Sequence, residues 1–159
     1  FDTASVAQIA VIVDEAVILR LHHNEALINR WTLERLTELW RLGAPLDVFL
    51  SSDLPLVDRR QYKLFVMLDR EPERVGVAAW RQAARTAGVH LYSEAGDQVF
   101  AERQWLALHA VSEGERVIRL PRVCTVTDAL TGGTVAEGAK EFRVRLKLGE
   151  TAVWRLTRI

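Results

Sequence analysis

The sequence predicts an α/β protein in which a parallel sheet with helices is followed by an antiparallel β module. Residues 6–13 form a run rich in β-branched residues that is apolar without interruption from Ile9 to Val13, which is typical of a strand covered on both faces of a parallel sheet. Strand-like and helix-like segments then alternate as far as Gly88. After Gly88 no long helical pattern follows, and short β-rich segments lie between turn signals.

The alternating half is predicted in detail from its start and stop signals. Asn24 suits the N-cap of the first helix, and Gly43 provides its stop signal. Pro72 suits the first turn of the second helix, which Gly88 ends. The predicted elements are a strand at 6–13, a helix at 24–42, a strand at 46–50, a loop at 51–60, a strand at 62–68 and a helix at 72–87. This order is that of a doubly wound unit.

The second half is predicted to be an antiparallel sandwich or half-sandwich. Its predicted strand segments are 89–92, 98–111, 116–120, 123–130, 142–148 and 152–156. The clearest is 142–148, where apolar residues alternate with Arg143, Arg145 and Lys147. This cationic face has no interleaved aromatic residues, so we expect a solvated face and no nucleic-acid partner. A boundary between 88 and 97 predicts two domains, 1–95 and 96–159.

Length and composition exclude several classes of protein. The chain has 159 residues, whereas a complete (β/α)8 barrel needs about 200. Lys plus Arg is 21 and Asp plus Glu is 21, which argues against a strongly cationic nucleic-acid clamp. No apolar run approaches the roughly 20 residues of a membrane helix, and no positively charged lead followed by an apolar core marks a signal peptide in this sequence. We therefore expect a soluble, cytoplasmic protein without a membrane partner, and the first residue, Phe1, suggests a processed or cut chain.

Three carboxylates follow predicted strands. Asp14 and Glu15 end the first strand and Asp69 ends the third, and the carboxyl ends of parallel strands converge on one crevice. The set resembles the acidic Mg²⁺ pocket of two-component receiver domains. The expected lysine at a following strand end and a fifth βα unit are not evident. The alternative is that these carboxylates are solvated or cap the next helix.

The sequence offers little support for a nucleophilic catalytic site or a metal-binding site. Cys124, the single cysteine, excludes an internal disulfide framework and lies in a predicted strand, where a buried, inert thiol is expected. No Gly-x-Ser/Cys-x-Gly turn follows a strand. His22 and His23 are adjacent and point in different directions, while His90 and His109 lie in strand-like segments without ligand spacing. We expect no catalytic residue, no cofactor and no metal.

The five tryptophans are the remaining feature of interest. Trp31, Trp40 and Trp80 fall in the predicted helices and are the candidate interface residues, because the first helix has an apolar arc wider than one sheet face covers. Trp105 and Trp154 fall in predicted strands, where aromatic rings can stack on sugars. Core packing is the alternative for all five.

Several segments resemble one known family. Residues 9–15, 43–48 and 62–66 are similar to the non-catalytic domain that follows the barrel in bacterial β-galactosidases, which is often called the trimerisation domain. Residues 88–97, 106–110 and 118–121 resemble the end of that domain and the sandwich after it. Residues 126–132 and 149–156 resemble the closing β module of many glycoside hydrolases. The resemblance implies a truncated flavodoxin-like parallel sheet and then an antiparallel β-sandwich-like module.

The resemblance also shapes the functional hypotheses. The family has a longer α/β stretch after the third strand, so the sheet here is expected to be incomplete or completed by another chain. Its catalytic glutamates lie in the barrel, so no catalytic position carries over. The leading hypothesis is a non-catalytic structural or oligomerisation portion, with a second copy or a catalytic barrel as partner. The alternatives are a carbohydrate-binding β module using Trp105 or Trp154, and a receiver-like signalling domain.

Overall fold

The computed structural model describes residues 4–20, 24–68 and 75–158. Its strands are β1 (Ile9–Val13), β2 (Leu46–Leu50), β3 (Leu64–Leu68), β4 (Gln98–Ala101), β5 (Trp105–His109), β6 (Gly114–Asp128), β7 (Thr134–Leu146) and β8 (Thr151–Arg158). Its α-helices are α1 (Glu15–Arg20), α2 (Glu25–Asn29), α3 (Arg35–Trp40) and α4 (Val77–Thr86). A three-stranded sheet has the order β2-β1-β3, and a five-stranded sheet has the order β4-β5-β8-β6-β7.

The predicted fold class is confirmed. In the first sheet β1 is central and pairs in parallel with both neighbours. All five of its residues are buried, as its unbroken apolar run predicts. Ile9, Val11 and Val13 belong to a core that also contains Leu39 of α3 and Ala84 of α4, so these helices cover the same face of the sheet.

The predicted helix at 24–42 consists of α2, a π-helical segment (Arg30–Glu34) and α3. The interruption was not predicted, because the apolar spacing does not distinguish a π turn from an α turn. Helix α1 was also missed, since residues 15–20 follow a strand at once and include β-branched side chains. Its start is fixed by Asp14, whose Oδ1 accepts a hydrogen bond from the Ala16 amide at 2.9 Å.

Three other predictions need correction in the first half. The segment at 51–60 contains a 3₁₀ helix (Ser51–Leu56) rather than only loop. Helix α4 begins at Val77, directly after Gly76, and the proposed first-turn residue Pro72 lies outside the described residues. Residues 89–92 are not a strand, because their backbone groups bond to separate parts of the chain and form no ladder: the Val89 amide donates to the Ala84 carbonyl and the Tyr92 amide to that of Gly43.

Gly43 connects the two halves of the chain. Its φ is 101°, a conformation that favours glycine. Its carbonyl accepts hydrogen bonds from the amides of Tyr92 at 2.8 Å and Ser93 at 3.3 Å. A Cβ at this position would lie 1.6 Å from the Ser93 carbonyl oxygen. The stop signal of the first helix therefore also lies where the two backbones approach each other closely.

The second sheet merges two predicted strands and lengthens another. The segments at 116–120 and 123–130 are one strand, β6, with Pro121 inside it. The β6–β7 ladder has no residue pairs between Arg119 and Cys124, so the missing amide of Pro121 costs no ladder hydrogen bond. Strand β7 begins at Thr134, well before the predicted start at 142.

The five-stranded sheet folds over itself. Phe142 lies opposite Ile118 on β6, and Trp154 lies opposite Asp128, ten residues further along the same strand. A straight strand would separate these points by about 33 Å. The Phe142 and Trp154 rings nevertheless meet edge to face, with centroids 5.2 Å apart. The bend in β6 thus encloses a second core, as expected of a sandwich-like module.

A buried ion pair fixes the start of this second module. Asp97 is fully buried and Arg116 is 3% exposed. Arg116 Nε donates to Asp97 Oδ2 at 2.7 Å, and a second guanidinium nitrogen donates to Oδ1 at 3.0 Å. The same nitrogen donates to the Ser112 carbonyl, and the Val111 amide donates to Asp97. Both carboxylate oxygens of Asp97 and two of the three guanidinium nitrogens of Arg116 thus have partners, as the burial of an ion pair requires.

Within the described ranges, no helix is long and apolar enough to cross a membrane.

Candidate functional site

A cleft of about 360 Å³ lies between the first sheet and the edge of the second. Three aromatic side chains and two carboxylates line it: Trp40, Phe100, Trp105, Asp47 and Glu102. We call this set the aromatic cleft. Its volume falls within the range of small-molecule pockets, which is about 300–1,000 Å³.

Secondary structure from both halves positions the cleft side chains. Trp40 is the last residue of α3, and Asp47 lies on β2. Phe100 lies on β4, and Trp105 begins β5. The Glu102 amide donates to the Trp105 carbonyl at 2.9 Å, which holds the turn between these strands. The walls therefore come from separate parts of the chain, and each belongs to a helix or strand or to the turn between strands.

The polar side of the cleft consists mainly of hydrogen-bond acceptors. Asp47 accepts hydrogen bonds from Ser5 Oγ at 2.9 Å and from the Tyr62 hydroxyl at 2.7 Å. Burial and the bond to Asp47 raise the pKa of Tyr62 above its ordinary value, so the hydroxyl stays protonated and keeps donating. No lysine or arginine is among the described residues that line this cleft.

Two polar groups of the cleft remain open to a ligand. Within the described ranges, the Glu102 carboxylate accepts no hydrogen bond and forms no ion pair. The Trp40 indole N–H makes no hydrogen bond to any residue in that part of the chain either, and it is not buried. The cleft can thus accept hydrogen bonds at Glu102 and donate one at Trp40.

The three candidate interface tryptophans lie in different surroundings. Trp40 is half-buried in the aromatic cleft. Trp80 packs against the first core, and its buried indole N–H has no hydrogen-bond partner in the described structure. The side chain of Trp31 lies outside the described residues. Their role in an interface stays a prediction.

The two candidate sugar-stacking residues differ in exposure. Trp154 is 1% exposed and packs edge-on against Phe142 in the second core, so its proposed role in stacking is wrong. Trp105 is half-buried and lines the aromatic cleft. Alternation along β8 turns Trp154 inward, whereas Trp105 lies at a strand end beside the cleft.

The carboxylates of the receiver-like hypothesis are engaged by protein groups. Asp14 caps α1, as the alternative reading predicts. Glu15 accepts hydrogen bonds from Ser51 Oγ at 2.6 Å and from Ser52 Oγ at 2.7 Å. These bonds lower the pKa of Glu15 to about 2. Asp69 lies outside the described residues, among which no three His, Cys, Asp or Glu side chains gather as a metal site.

Cys124 is packed in the protein interior, and the described histidines lie within hydrogen-bond distance of other protein groups. Cys124 is buried in β6, as predicted. His90 Nε2 lies 3.0 Å from the Arg119 carbonyl oxygen, and burial lowers the pKa of its imidazole. His109 Nδ1 lies 2.8 Å from Thr151 Oγ1. His22 and His23 lie outside the described residues.

The predicted cationic strand face is exposed and paired. Arg143 lies 2.9 Å from Glu115, and Arg145 lies 3.7 Å from Glu113. Lys147 lies just beyond β7 in the turn, where its amide donates to the Glu150 carboxylate. These solvated ion pairs are consistent with a surface face.

The first sheet ends at β3, whose outer edge pairs with no other strand of the described residues. The Leu64 amide donates to the Gln8 carbonyl, on the β1 side, and β3 is an end strand of its sheet. Because amide directions alternate along a strand, the backbone groups of Phe65 and Met67 point away from the sheet. Their side chains are 39% and 47% exposed and share one face. We call these two residues with their outward backbone groups the β3 edge.

Sequence reasoning missed both features. Asp47 was a detectable signal, since it is a charged residue inside an apolar strand, and its polarity marks the cleft wall. Glu102 and Phe100 gave no such signal, because they are close to other residues of the cleft only in the folded chain. The exposure of Phe65 and Met67 could not be predicted, since a buried and an open parallel strand have similar sequences.

No protein-family model matches this sequence, and no curated protein matches it. Among solved structures, a GH27 β-L-arabinopyranosidase from Geobacillus stearothermophilus is similar, with 11% identity and a TM-score of 0.33 over 78% of this chain. An α-amylase from Anoxybacillus is similar with 10% identity and a TM-score of 0.31 over 89% of this chain. The chain spans only 30% and 35% of their respective lengths. The similarity is thus distant, concerns portions of bacterial glycoside hydrolases, and assigns no family.

Proposed function

We propose that this chain is a non-catalytic structural portion of a β-galactosidase-like glycoside hydrolase, and that it joins two copies of itself through the β3 edge. The resemblance of its segments to the trimerisation-type domain suggests the first part of the proposal. The observation that carries the second part is an end strand with outward backbone groups and two exposed apolar side chains, Phe65 and Met67. Edge strands of this kind are templates for pairing.

A second copy suits this edge geometrically. A two-fold axis perpendicular to the sheet and passing beside Val66 would place the two β3 strands antiparallel. Phe65 of one copy would then lie opposite Met67 of the other, and the outward amides and carbonyls would form about four hydrogen bonds. The same axis brings the exposed side chains of both copies together on one face, where their apolar surface leaves water.

Light scattering of the chain at tens of micromolar, roughly the range in which weak dimers form, tests the proposal. We expect a solution mass twice the chain mass of 18.0 kDa. Met67→Lys places a charge in the paired face and should return the mass to that of one chain. Leu130→Lys is the matched control, because Leu130 is an 83% exposed apolar residue far along the chain in a turn.

A mass of 18.0 kDa for the unmodified chain at all concentrations would contradict the pairing. A dimer that Met67→Lys leaves intact would show that another surface joins the copies. In that case the tryptophan candidates Trp40 and Trp80 become the next residues to change.

A further inference from the structure

We infer that the aromatic cleft is a binding site for a neutral saccharide. The inference is independent of the proposed pairing, because the cleft lies beside β2 and β4 and not at β3. Its volume of about 360 Å³ is sufficient for one or two sugar rings. The walls are a helix end and three strands, which hold the side chains in place before a ligand arrives.

Aromatic surface supplies the first part of the recognition. Trp40 stands on the side of the first sheet, while Phe100 and Trp105 stand on the side of the second. Phe100 is 55% exposed, and such exposure of a large aromatic ring leaves apolar surface in contact with water. A pyranose ring has a face of C–H groups that can pack on an indole or phenyl ring and remove this surface from water.

Hydrogen bonding supplies the second part. A sugar hydroxyl both donates and accepts, and the cleft offers both complements. Glu102 can accept, Asp47 has remaining acceptor capacity, and the Trp40 N–H can donate. Hydrogen bonds to an ionised carboxylate are stronger than those between neutral groups.

The negative charge of the aromatic cleft limits the class of ligand that it can bind. The carboxylates of Asp47 and Glu102, with no cation among the described lining residues, disfavour an anionic ligand. An organic cation would satisfy the carboxylates and the aromatic faces. It would leave the Trp40 N–H without an acceptor, whereas a saccharide hydroxyl or ring oxygen supplies one. A neutral saccharide therefore matches all the groups that the cleft presents.

Isothermal titration calorimetry of the whole chain tests the inference. The probes are methyl β-glucoside, methyl β-galactoside, methyl β-xyloside, cellobiose and lactose, with tetramethylammonium chloride as the cationic comparison. We expect saturable binding of at least one saccharide, and no binding of the cation. Trp105→Ala and Glu102→Gln should each weaken that binding at least about tenfold, which corresponds to about 1.4 kcal/mol. Leu148→Ala removes a 71% exposed apolar side chain outside the cleft and outside the β3 edge, and should leave the affinity unchanged.

Three results would overturn the inference. One is no saturable heat from any of the saccharides up to about 10 mM with folded protein, a limit near the weakest affinity that a specific site shows. Another is saturable binding of tetramethylammonium with none of the saccharides. The third is binding that Trp105→Ala and Glu102→Gln leave intact while circular dichroism shows both variants folded. Repeating the titration with Met67→Lys separates this outcome from any failure of the proposed pairing.

Discussion

Asp97 and Arg116 form a buried ion pair, so each charge must find its partners within the protein. The two side chains are almost without exposure, and each depends on the other for its hydrogen bonds. The sequence did not indicate the pair, since nothing in the segment around Asp97 distinguishes a buried carboxylate from one in an exposed turn. By contrast, the buried thiol of Cys124 was predictable from its apolar, β-branched neighbours.

Arg116→Met should destabilise the fold by about 3–5 kcal/mol, because it leaves the Asp97 carboxylate buried without its cation. The measurement is urea unfolding at pH 7. Arg143→Met is the matched control, since it breaks the exposed pair with Glu115 and should cost less than about 1 kcal/mol. Equal losses for the two variants would contradict the assignment of Arg116 as the essential partner.

Glu15 should make the stability depend on pH. Its pKa in the fold is about 2, against an ordinary value of 4.5, because Ser51 and Ser52 donate to the ionised form. A lowered pKa contributes stability that is complete above pH 4.5 and is lost as the pH falls towards 2. The advantage of the wild-type chain over Glu15→Gln should therefore shrink across this window.

Urea midpoints between pH 6 and pH 2.5 measure this effect. Glu137→Gln serves as the comparison, because Glu137 is an exposed carboxylate of β7 whose side chain has no hydrogen bond within the described ranges. A wild-type advantage over Glu15→Gln that stays constant across the window would disprove the role of the serine hydrogen bonds.

Elements were predictable where one physical signal dominated. The unbroken apolar run gave β1, and the alternation of apolar and cationic residues gave the outer part of β7. The prediction failed where contacts distant in sequence decide the structure. Strand β6 continues through Pro121 only because its ladder with β7 is interrupted there. Residues 89–92 have strand-like composition, but their backbone partners are scattered: the Ala84 carbonyl in α4, the Gln8 side chain, the Gly43 carbonyl and the Arg119 amide of β6.

Among substitutions in the segments that connect helices and strands, Gly43→Ala should be one of the most destabilising. The added Cβ would meet the Ser93 carbonyl oxygen at 1.6 Å, and the φ of 101° is unfavourable for alanine. We expect a loss of about 4 kcal/mol or more, a size reserved for specific structural conflicts. Gly149→Ala is the control, because φ is 77° there but the space is open, and it should cost only about 1–2 kcal/mol.

Thermal or urea unfolding compares the two glycine variants directly. If Gly43→Ala were no more destabilising than Gly149→Ala, the close approach of the turn to residues 92 and 93 would not exist in solution. The same result would weaken the evidence for the aromatic cleft, because Ala44 and Pro45 continue from this turn towards β2, which forms one wall of the cleft.

At the scale of the whole molecule, the sequence predicted two kinds of sheet but not how their surfaces are used. Trp40 and Trp105 are separated by more than sixty residues and line one cleft only because the two sheets lie side by side. No local pattern encodes such a meeting. The resemblance predicts an incomplete parallel sheet, and this stays a prediction; within the described residues the sheet has three strands with β3 at one end.

The aromatic cleft and the β3 edge lie at opposite edges of the three-stranded sheet. The aromatic cleft borders β2, and the proposed pairing extends the sheet from β3. Pairing through β3 would therefore leave the cleft of each copy accessible. A paired molecule would present two clefts, which raises the apparent affinity for a ligand with repeated sugar units.

Amide hydrogen exchange at the β3 edge, followed by NMR, tests the central claim most directly. We expect the amides of Phe65 and Met67 to exchange slowly at high protein concentration and quickly on dilution, because no described residue of the same chain supplies their acceptors and a second copy would. The amides of Leu64 and Val66 point towards β1 and should stay protected at both concentrations. Exchange rates at Phe65 and Met67 that do not change with concentration would contradict the account.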